Sequence, residues 1–343
     1  MKKVIWFQSL LLVALSVSNA MADHPSAAFG SETSGPINTI SAVPLANDQW
    51  AFGFRTDVIR FNAFSDAELE GFAASGREGV HSMDALSSTS IAVGYGVTED
   101  LTLSVRLPYV RRDNIREGEF DLAPEVHLHG DSSGIGDAVL FGQYRFLKKQ
   151  NLNAAVLLGV KAPTGKTDVN DKAGSRQETE FQPGTGSWDM LLGAAISKQG
   201  NAGIGYHANF LSHITTEGAQ HTRMGNAFFL NAALVYRLPQ SKHDHSTDIK
   251  NTARHHHSNW DLLLEMNAEN RQADKVLGID EANSGGTLVY LSPGIRFSSG
   301  SSWGGFLLIG VPIGERLRGE QAGVQYRVTA GFSATLNAKS GTE

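Results

Sequence analysis

The sequence predicts an all-β chain: a transmembrane antiparallel β-barrel of about 12 strands, of the outer-membrane type. Three observations predict it. From residue 50 onward, apolar and polar residues alternate with period two in segments of roughly ten residues, the length that crosses a bilayer when tilted. The connections between these segments alternate between short and long. Aromatic residues collect toward both ends of the apolar faces, as amphipathic rings do at lipid headgroups.

The elements follow in order along the chain. The first 22 residues read as an export signal: Lys2 and Lys3, the apolar run "VIWFQSLLLVALSV", then small residues ending in "AMA". Residues 23–49 form an N-terminal segment expected either in the periplasm or folded into the lumen. Residues 50–343 are assigned to the barrel. Its first strand runs from Trp50 to Phe61, followed by Ser88 to Val97. In "LTLSVRLPY" Leu101, Leu103, Val105, Leu107 and Tyr109 oppose Thr102, Ser104, Arg106 and Pro108. Gly136 to Phe146 and Leu152 to Lys161 come next. "WDMLLGAAIS" sets Trp188, Met190, Leu192, Ala194 and Ile196 against Asp189, Gly193 and Ser197. "AGIGYHANFLSHI" sets Ile204, Tyr206, Ala208 and Phe210 against His207, Asn209 and His213. Ala227 to Leu238, "WDLLLEMNA" from Trp260, Leu288 to Phe297, Trp303 to Val311 and "QYRVTAGFSATL" from Gln325 complete the set. Pro108, Pro293 and Pro312 lack ladder donors and belong near strand ends or bulges.

Short connections fall at 98–100, 148–151, 198–201 and 298–302; long polar ones fall at roughly 62–87, 112–135, 162–186, 215–225, 269–286 and 312–324. Outer-membrane barrels have short periplasmic turns and longer outer loops. With the first strand rising from the periplasm, Trp50, Tyr144, Phe146, Tyr236, Trp260, Phe297 and Trp303 fall at periplasmic ends. Tyr109, Trp188, Phe228 and Tyr326 fall at outer ends. A soluble β-sandwich also alternates. Rows of large apolar residues opposite Arg, Asp and His, with girdles at both ends, favour the membrane.

Composition narrows the function. The 343 residues include no cysteine, which excludes disulfides and thiolate chemistry. Past the signal no apolar run reaches the roughly 20 residues of a membrane helix. The mean hydropathy of -0.19 does not speak against a barrel, whose lipid- and lumen-facing residues average out. A net charge of -6 without a basic block makes nucleic acid an unexpected partner. The expected partners are outer-membrane lipid and lipopolysaccharide, a small-molecule solute, and at most a periplasmic protein; oligomeric state is left open.

The inward faces carry the candidate site. Arg55, Arg106, Arg145, Lys161, Arg237, Arg296 and Arg327 share the predicted lumen with Asp57, Asp137, Asp189, Asp261 and Glu265. Such charges line an aqueous path, or pair with one another to fill a narrow interior. His207 and His213, on one strand face but some 20 Å apart, read as lumen hydrogen-bonding residues. "HLHGD" at 127–131 offers two imidazoles and a carboxylate for a transient divalent-cation contact, with a solvated outer loop as the preferred reading, and "DVNDKAG" at 168–174 lacks the spacing of a calcium loop.

The strongest local composition signal is "HDHSTDIKNTARHHHSN", 243–259, within a connection at about 239–259 on the periplasmic side. Its imidazoles, His243, His245, His255, His256 and His257, favour zinc, copper or nickel, and a hydrated loop without a metal role is the simpler reading. No resident cofactor is expected beyond such adventitious metal. Neither G-x-S-x-G nor H-E-x-x-H occurs, so no enzyme activity is expected.

"GDSSGIGDAVLFGQYRF", "LLGVKAPTGKTD" and "QPGTGSWDMLLGAAIS", with "GPINTISAVPL" and "YGVTEDLTLSVRLPYVRRD", resemble a family of bacterial outer-membrane barrels labelled meta-pathway phenol-degradation proteins. The resemblance covers most of the chain beyond the signal and rests on the order of the motifs. It implies an outer-membrane channel or transporter for small solutes, with hydrophobic or aromatic compounds as the solute class. No binding residues carry over from it. The chain departs in ending "LNAKSGTE" without a terminal aromatic, with either Phe332 as an internal substitute or the end as an extension. Two other expectations stand beside the channel: a periplasm-facing metal-binding partner of an export system, and an outer-membrane hydrolase.

Overall fold

The computed structural model describes residues 35–77, 79–239, 258–300 and 302–337. The predicted signal segment, and residues 240–257 with the five clustered histidines, lie outside the described residues.

The strands are, in chain order, β1 Gln49–Phe61, β2 Val80–Ser82, β3 Ala85–Gly96, β4 Leu101–Phe120, β5 Pro124–Ile135, β6 Ala138–Lys149, β7 Leu152–Ala162, β8 Asp189–Gln199 and β9 Ile204–Ile214. They continue as β10 Thr222–Arg223, β11 Ala227–Arg237, β12 Ser258–Arg271, β13 Lys275–Val276, β14 Ile279–Asp280, β15 Gly286–Ser299, β16 Trp303–Leu317 and β17 Val324–Asn337. Twelve of them pair antiparallel around a closed circuit, β4-β3-β1-β17-β16-β15-β12-β11-β9-β8-β7-β6, and β6 returns to β4. Closure satisfies the backbone groups that an open sheet would leave bare in lipid.

The alternation sorts the side chains as the period-two pattern requires. Phe52, Phe54, Leu103, Val105, Leu262, Leu264 and Met266 are exposed on the outside, while Arg55, Asp57, Asp261 and Glu265 are buried within. Trp50, Trp260 and Trp303 are exposed near the end that carries the short turns, and Tyr109 and Trp188 near the other. An apolar band between aromatic girdles fits the hydrocarbon layer. Arginine in place of Leu264, mid-strand on this band, is therefore expected to cost about 2–4 kcal/mol of folding into lipid vesicles. Arginine in place of Trp303 at the girdle is expected to cost about 0–1 kcal/mol. Denaturant titration of the two variants in vesicles checks the difference.

Two regions differ from expectation. The long polar connection expected at 112–135 is mostly strand: β4 runs on to Phe120 and pairs with β5 as a hairpin. Above the bilayer neither face meets lipid, so apolar alternation stops while backbone pairing continues. At Pro108 β4 passes from its partner β6 to β5, with the Gly136 N–H donating to the Pro108 carbonyl. The connection expected at 62–87 contains a helix, α1 Asp66–Ala74, started by a capping box in which Ser65 and Glu68 bond reciprocally. It also supplies β2, which adds to β4 beyond the end of β3. Pro312 lies at a bulge between β15 and β16, as a missing donor predicts.

Candidate functional site

Residues 36–45 run through the barrel interior, and wall side chains bind their backbone. The Glu265 carboxylate accepts the N–H groups of Ile37, Asn38 and Thr39 and the Thr39 hydroxyl. Arg55, held by both oxygens of Asp57 at 2.7 and 2.8 Å, donates to the Ile37 carbonyl and the Asn38 side chain. Arg296 donates to the Pro36 carbonyl at 2.9 Å. Farther along, Asn209, Ser197 and Thr102 accept the N–H groups of Ile40, Ala42 and Leu45, each at 2.8 Å. Three successive N–H groups on one carboxylate make an anion nest, and hydrogen bonds to a charged partner are the strong class. The segment is a plug fixed by its backbone.

An amide belt continues from the plug around the wall. Asn231 donates to Asn209, Asn267 to Asn231, and Ser292 to Asn267, at 3.1–3.3 Å. Arg296 lies over the Phe306 ring and Arg327 over the Tyr290 ring, at 5.0 and 4.3 Å.

On the outer side of the plug lies a cavity of about 120 Å³. Val110, Val139, Leu191, Met224 and Phe229 give it apolar walls, and Arg106, Arg112, Asp137, Lys161, Asp189, His213 and Arg271 give it charge. Val139, Leu191 and Phe229 also belong to the buried cluster that holds Ile40 of the plug, so plug and cavity share a floor. Residues Phe181 to Pro183 of the 163–188 connection reach in from outside; Arg112 donates to the carbonyls of Phe181 and Gln182.

Asp137 organises this half. It accepts from Lys161 at 2.7 Å and from the N–H groups of Gly165 and Thr185 at 2.9 Å each. Lys161 also lies 3.1 Å from Asp189, which in turn holds His213 at 3.0 Å. "SGIGDAV", "KAPTGKTD" and "QPGTGSW" thus meet at one ion-paired node.

The remaining predicted lumen residues lie toward the periplasmic mouth, where a vestibule of about 370 Å³ is lined by His207, Arg237, Asp261 and the plug's Ser41 and Pro44. Arg237 pairs with Asp261 at 2.9 Å. Arg145 turns to the rim, pairing with Asp100 of a short turn at 2.7 Å. His207 bonds Ser197, and His213 bonds Asp189, so the two imidazoles serve separate sites.

The alternation predicted for this strand ends at Ala268, three residues before β12 does. Glu269 and Arg271 continue the inward row of β12 and are buried. Extending the alternation by three residues would have found both. Arg112 was missed because its strand was ended at Tyr109.

"HLHGD" is not loop but part of β5. His127 and His129 lie on one face with Glu117 and His81, while Asp131 bonds Arg111 and the Asn114 N–H elsewhere. Burial opposes charge on His81, but Glu117, Glu180 and Glu178 outweigh it and push its pKa up to about 9. Burial likewise disfavours charge on Glu117, yet His129 and His81 hold it well below the usual carboxylate range. The stabilisation from His81 is thus present below about pH 6.5 and is lost as pH rises through about 9. That from Glu117 is present above about pH 4.5 and is lost only in strong acid. In a chelator-treated sample, raising the pH from about 6.5 to above 9 is expected to weaken the outer hairpin by up to about 3 kcal/mol. Amide exchange in β2 and β5 at the two pH values, corrected for intrinsic exchange, reads this directly.

The fold and interior define a class: a 12-stranded outer-membrane β-barrel with a polar, plugged lumen. The chain belongs to the family described as "Putative MetA-pathway of phenol degradation", whose model matches residues 75–328. No curated protein sequence matches it. Among solved structures, the COG4313 outer membrane channel from Pseudomonas putida F1 is similar with a TM-score of 0.58 at 14% identity, over 86% of this chain and 98% of that one. The CymD monoaromatic hydrocarbon channel aligns with a TM-score of 0.44 at 10% identity, over 85% and 89%. LpxR from Salmonella typhimurium aligns with a TM-score of 0.43 at 11% identity, over 82% and 99%. The first of these likenesses shows the shared barrel fold.

Proposed function

We propose that the protein is an outer-membrane channel for small solutes, taking hydrophobic or aromatic compounds that carry one polar group. The observation that carries this is the pair of cavities on either side of a backbone-held plug. A cavity with apolar walls and a few convergent charges suits a compact ring bearing a hydroxyl or carboxylate. The ring lies against Val139, Leu191 and Phe229, and the polar group reaches Arg106 or Lys161. Passage then requires the plug to yield. A hydrolase has less support: Ser197 and His207 are within 2.9 Å, but the Ser197 hydroxyl accepts the Ala42 N–H and so anchors the plug. A metal-binding partner role rests on histidines outside the described residues.

The test is reconstitution into liposomes and planar bilayers, comparing phenol-like aromatics, sugars and inorganic ions. Faster flux of the aromatics than of sugars of similar size supports the reading. No flux of any solute removes it.

A further inference from the structure

We propose that His81, Glu117 and His129 form a binding site for a divalent transition-metal ion of the zinc class on the outer hairpin. Nothing in the channel reading requires it. The site is built by the sheet. Register places His81 of β2 and His127 of β5 directly opposite Glu117 of β4, on either side of it, and His129 follows His127 on the same face. Three adjacent strands therefore hold the ligands.

The spacing suits a small ion. His129 Nε2 is 3.0 Å and His81 Nε2 3.2 Å from the same Glu117 oxygen, Oε2. The three ligand atoms lie within 4.8 Å of one another. In a tetrahedral site with bonds of about 2.0–2.1 Å, neighbouring ligand atoms stand roughly 3.3 Å apart. Two of the three edges match this spacing, and the third lies within 4.8 Å. His81 Nε2 is buried, and despite its short contact with Glu117 it makes no hydrogen bond of acceptable geometry. An imidazole nitrogen that faces a carboxylate oxygen at 3.2 Å without a hydrogen bond between them leaves a position that one ion can share with both. Imidazole and carboxylate together suit zinc, copper or nickel over calcium or magnesium.

The fourth position falls to Glu178 of the constricting segment or to water. Glu178 Oε2 is 3.6 Å from the same His81 nitrogen, and Glu180 Oε1 is 3.6 Å from His81 Nδ1. Both flank Thr179 and precede Phe181, whose ring centroid is 4.8 Å from that of His81. An ion bound here ties the 163–188 connection to the hairpin and holds Phe181 over the lumen.

The experiment uses the purified full chain with a histidine-free tag, with His243, His245, His255, His256 and His257 replaced by alanine so that only the hairpin is read. Zinc titration by calorimetry is expected to show one equivalent at low-micromolar affinity or better. Cobalt(II) in its place is expected to give the strong visible absorption of a four-coordinate site. Glu117→Gln and His129→Ala are expected to weaken zinc binding at least tenfold while heat-modifiable gel migration reports a folded barrel. The cobalt spectrum is read on the unsubstituted hairpin and so does not depend on those variants folding. No stoichiometric binding, a weak six-coordinate spectrum, or unchanged affinity in both folded variants overturns the proposal.

Discussion

Replacing Glu265 with alanine is expected to raise the bilayer conductance of the protein at least tenfold, because the plug loses the acceptor for three backbone N–H groups and a hydroxyl. Hydrogen bonds to a charged group contribute about 1.5–3 kcal/mol each, and donors left buried without a partner cost about 1–3 kcal/mol more. These terms do not add fully, yet about 4–5 kcal/mol of lost plug stability is a conservative reading. Moving a two-state equilibrium from 1:99 to 99:1 needs about 5.5 kcal/mol, so a loss of this size turns a rarely open channel into a mostly open one. Glu265→Gln keeps one carbonyl oxygen as acceptor and is expected to fall between. Deleting residues 35–45 is expected to match or exceed the alanine variant. Single-channel recordings distinguish longer open time from a wider pore. Conductance unchanged in both the alanine and the deletion variants would falsify gating by this segment.

The direction of each strand side chain was legible because alternation is local: a residue's face depends only on its parity along the strand. Arg55, Asp57, Asp189, Asp261, Glu265 and Arg296 were placed inward on that basis, and all are buried. Their partners were not legible. Glu265 binds residues 37–39, more than 220 positions away, and it binds their backbone, which leaves no mark on side-chain pattern. "GPINTISAVPL" is accordingly legible as a family motif in a segment expected in the periplasm or the lumen, but nothing in it marks the contacts that make it the plug. The outer hairpin was lost for the opposite reason, since strands above the bilayer have no lipid face to display. His81, Glu117 and His129 share a site through register, and register between distant segments is not written in either one alone.

The glycine-rich motifs carry a signal that was visible but not interpretable. Gly165 and Gly184 approach one another so closely that a Cβ on either would meet the other's Cα at 2.6 Å, and Gly165 also lies against the Gly136–Asp137 peptide. The two ends of the 163–188 connection can cross over Asp137 only where both residues lack a side chain. Gly136 of "GIGD", Gly165 of "PTGK" and Gly184 of "PGTG" are therefore packing requirements of one junction.

That junction sets the second large effect. Asp137→Ala removes the acceptor for Lys161, for the Gly165 and Thr185 N–H groups and for the Thr185 hydroxyl. Truncating one member of a buried ion pair costs about 3–5 kcal/mol when the other is left uncompensated. Here Asp189 remains 3.1 Å from Lys161, so the lower end, about 3 kcal/mol, is expected. Lys161→Met leaves Asp137 and Asp189 buried together without their shared cation and is expected to cost more, at the upper end of that range. The double variant is expected to be less unstable than the two single costs added, since neither partner is then stranded. Function shifts with stability. With Asp137 gone, the Thr185 end of the connection loses its hold and Pro183 no longer caps the cavity. A cysteine at Thr185 is then expected to react with bulky polar thiol reagents at least tenfold faster in the Asp137→Ala background than with Asp137 intact. Equal labelling rates in folded protein, or additive stability losses in the double variant, would show that Asp137 and Lys161 act independently and that the constriction is held by other contacts.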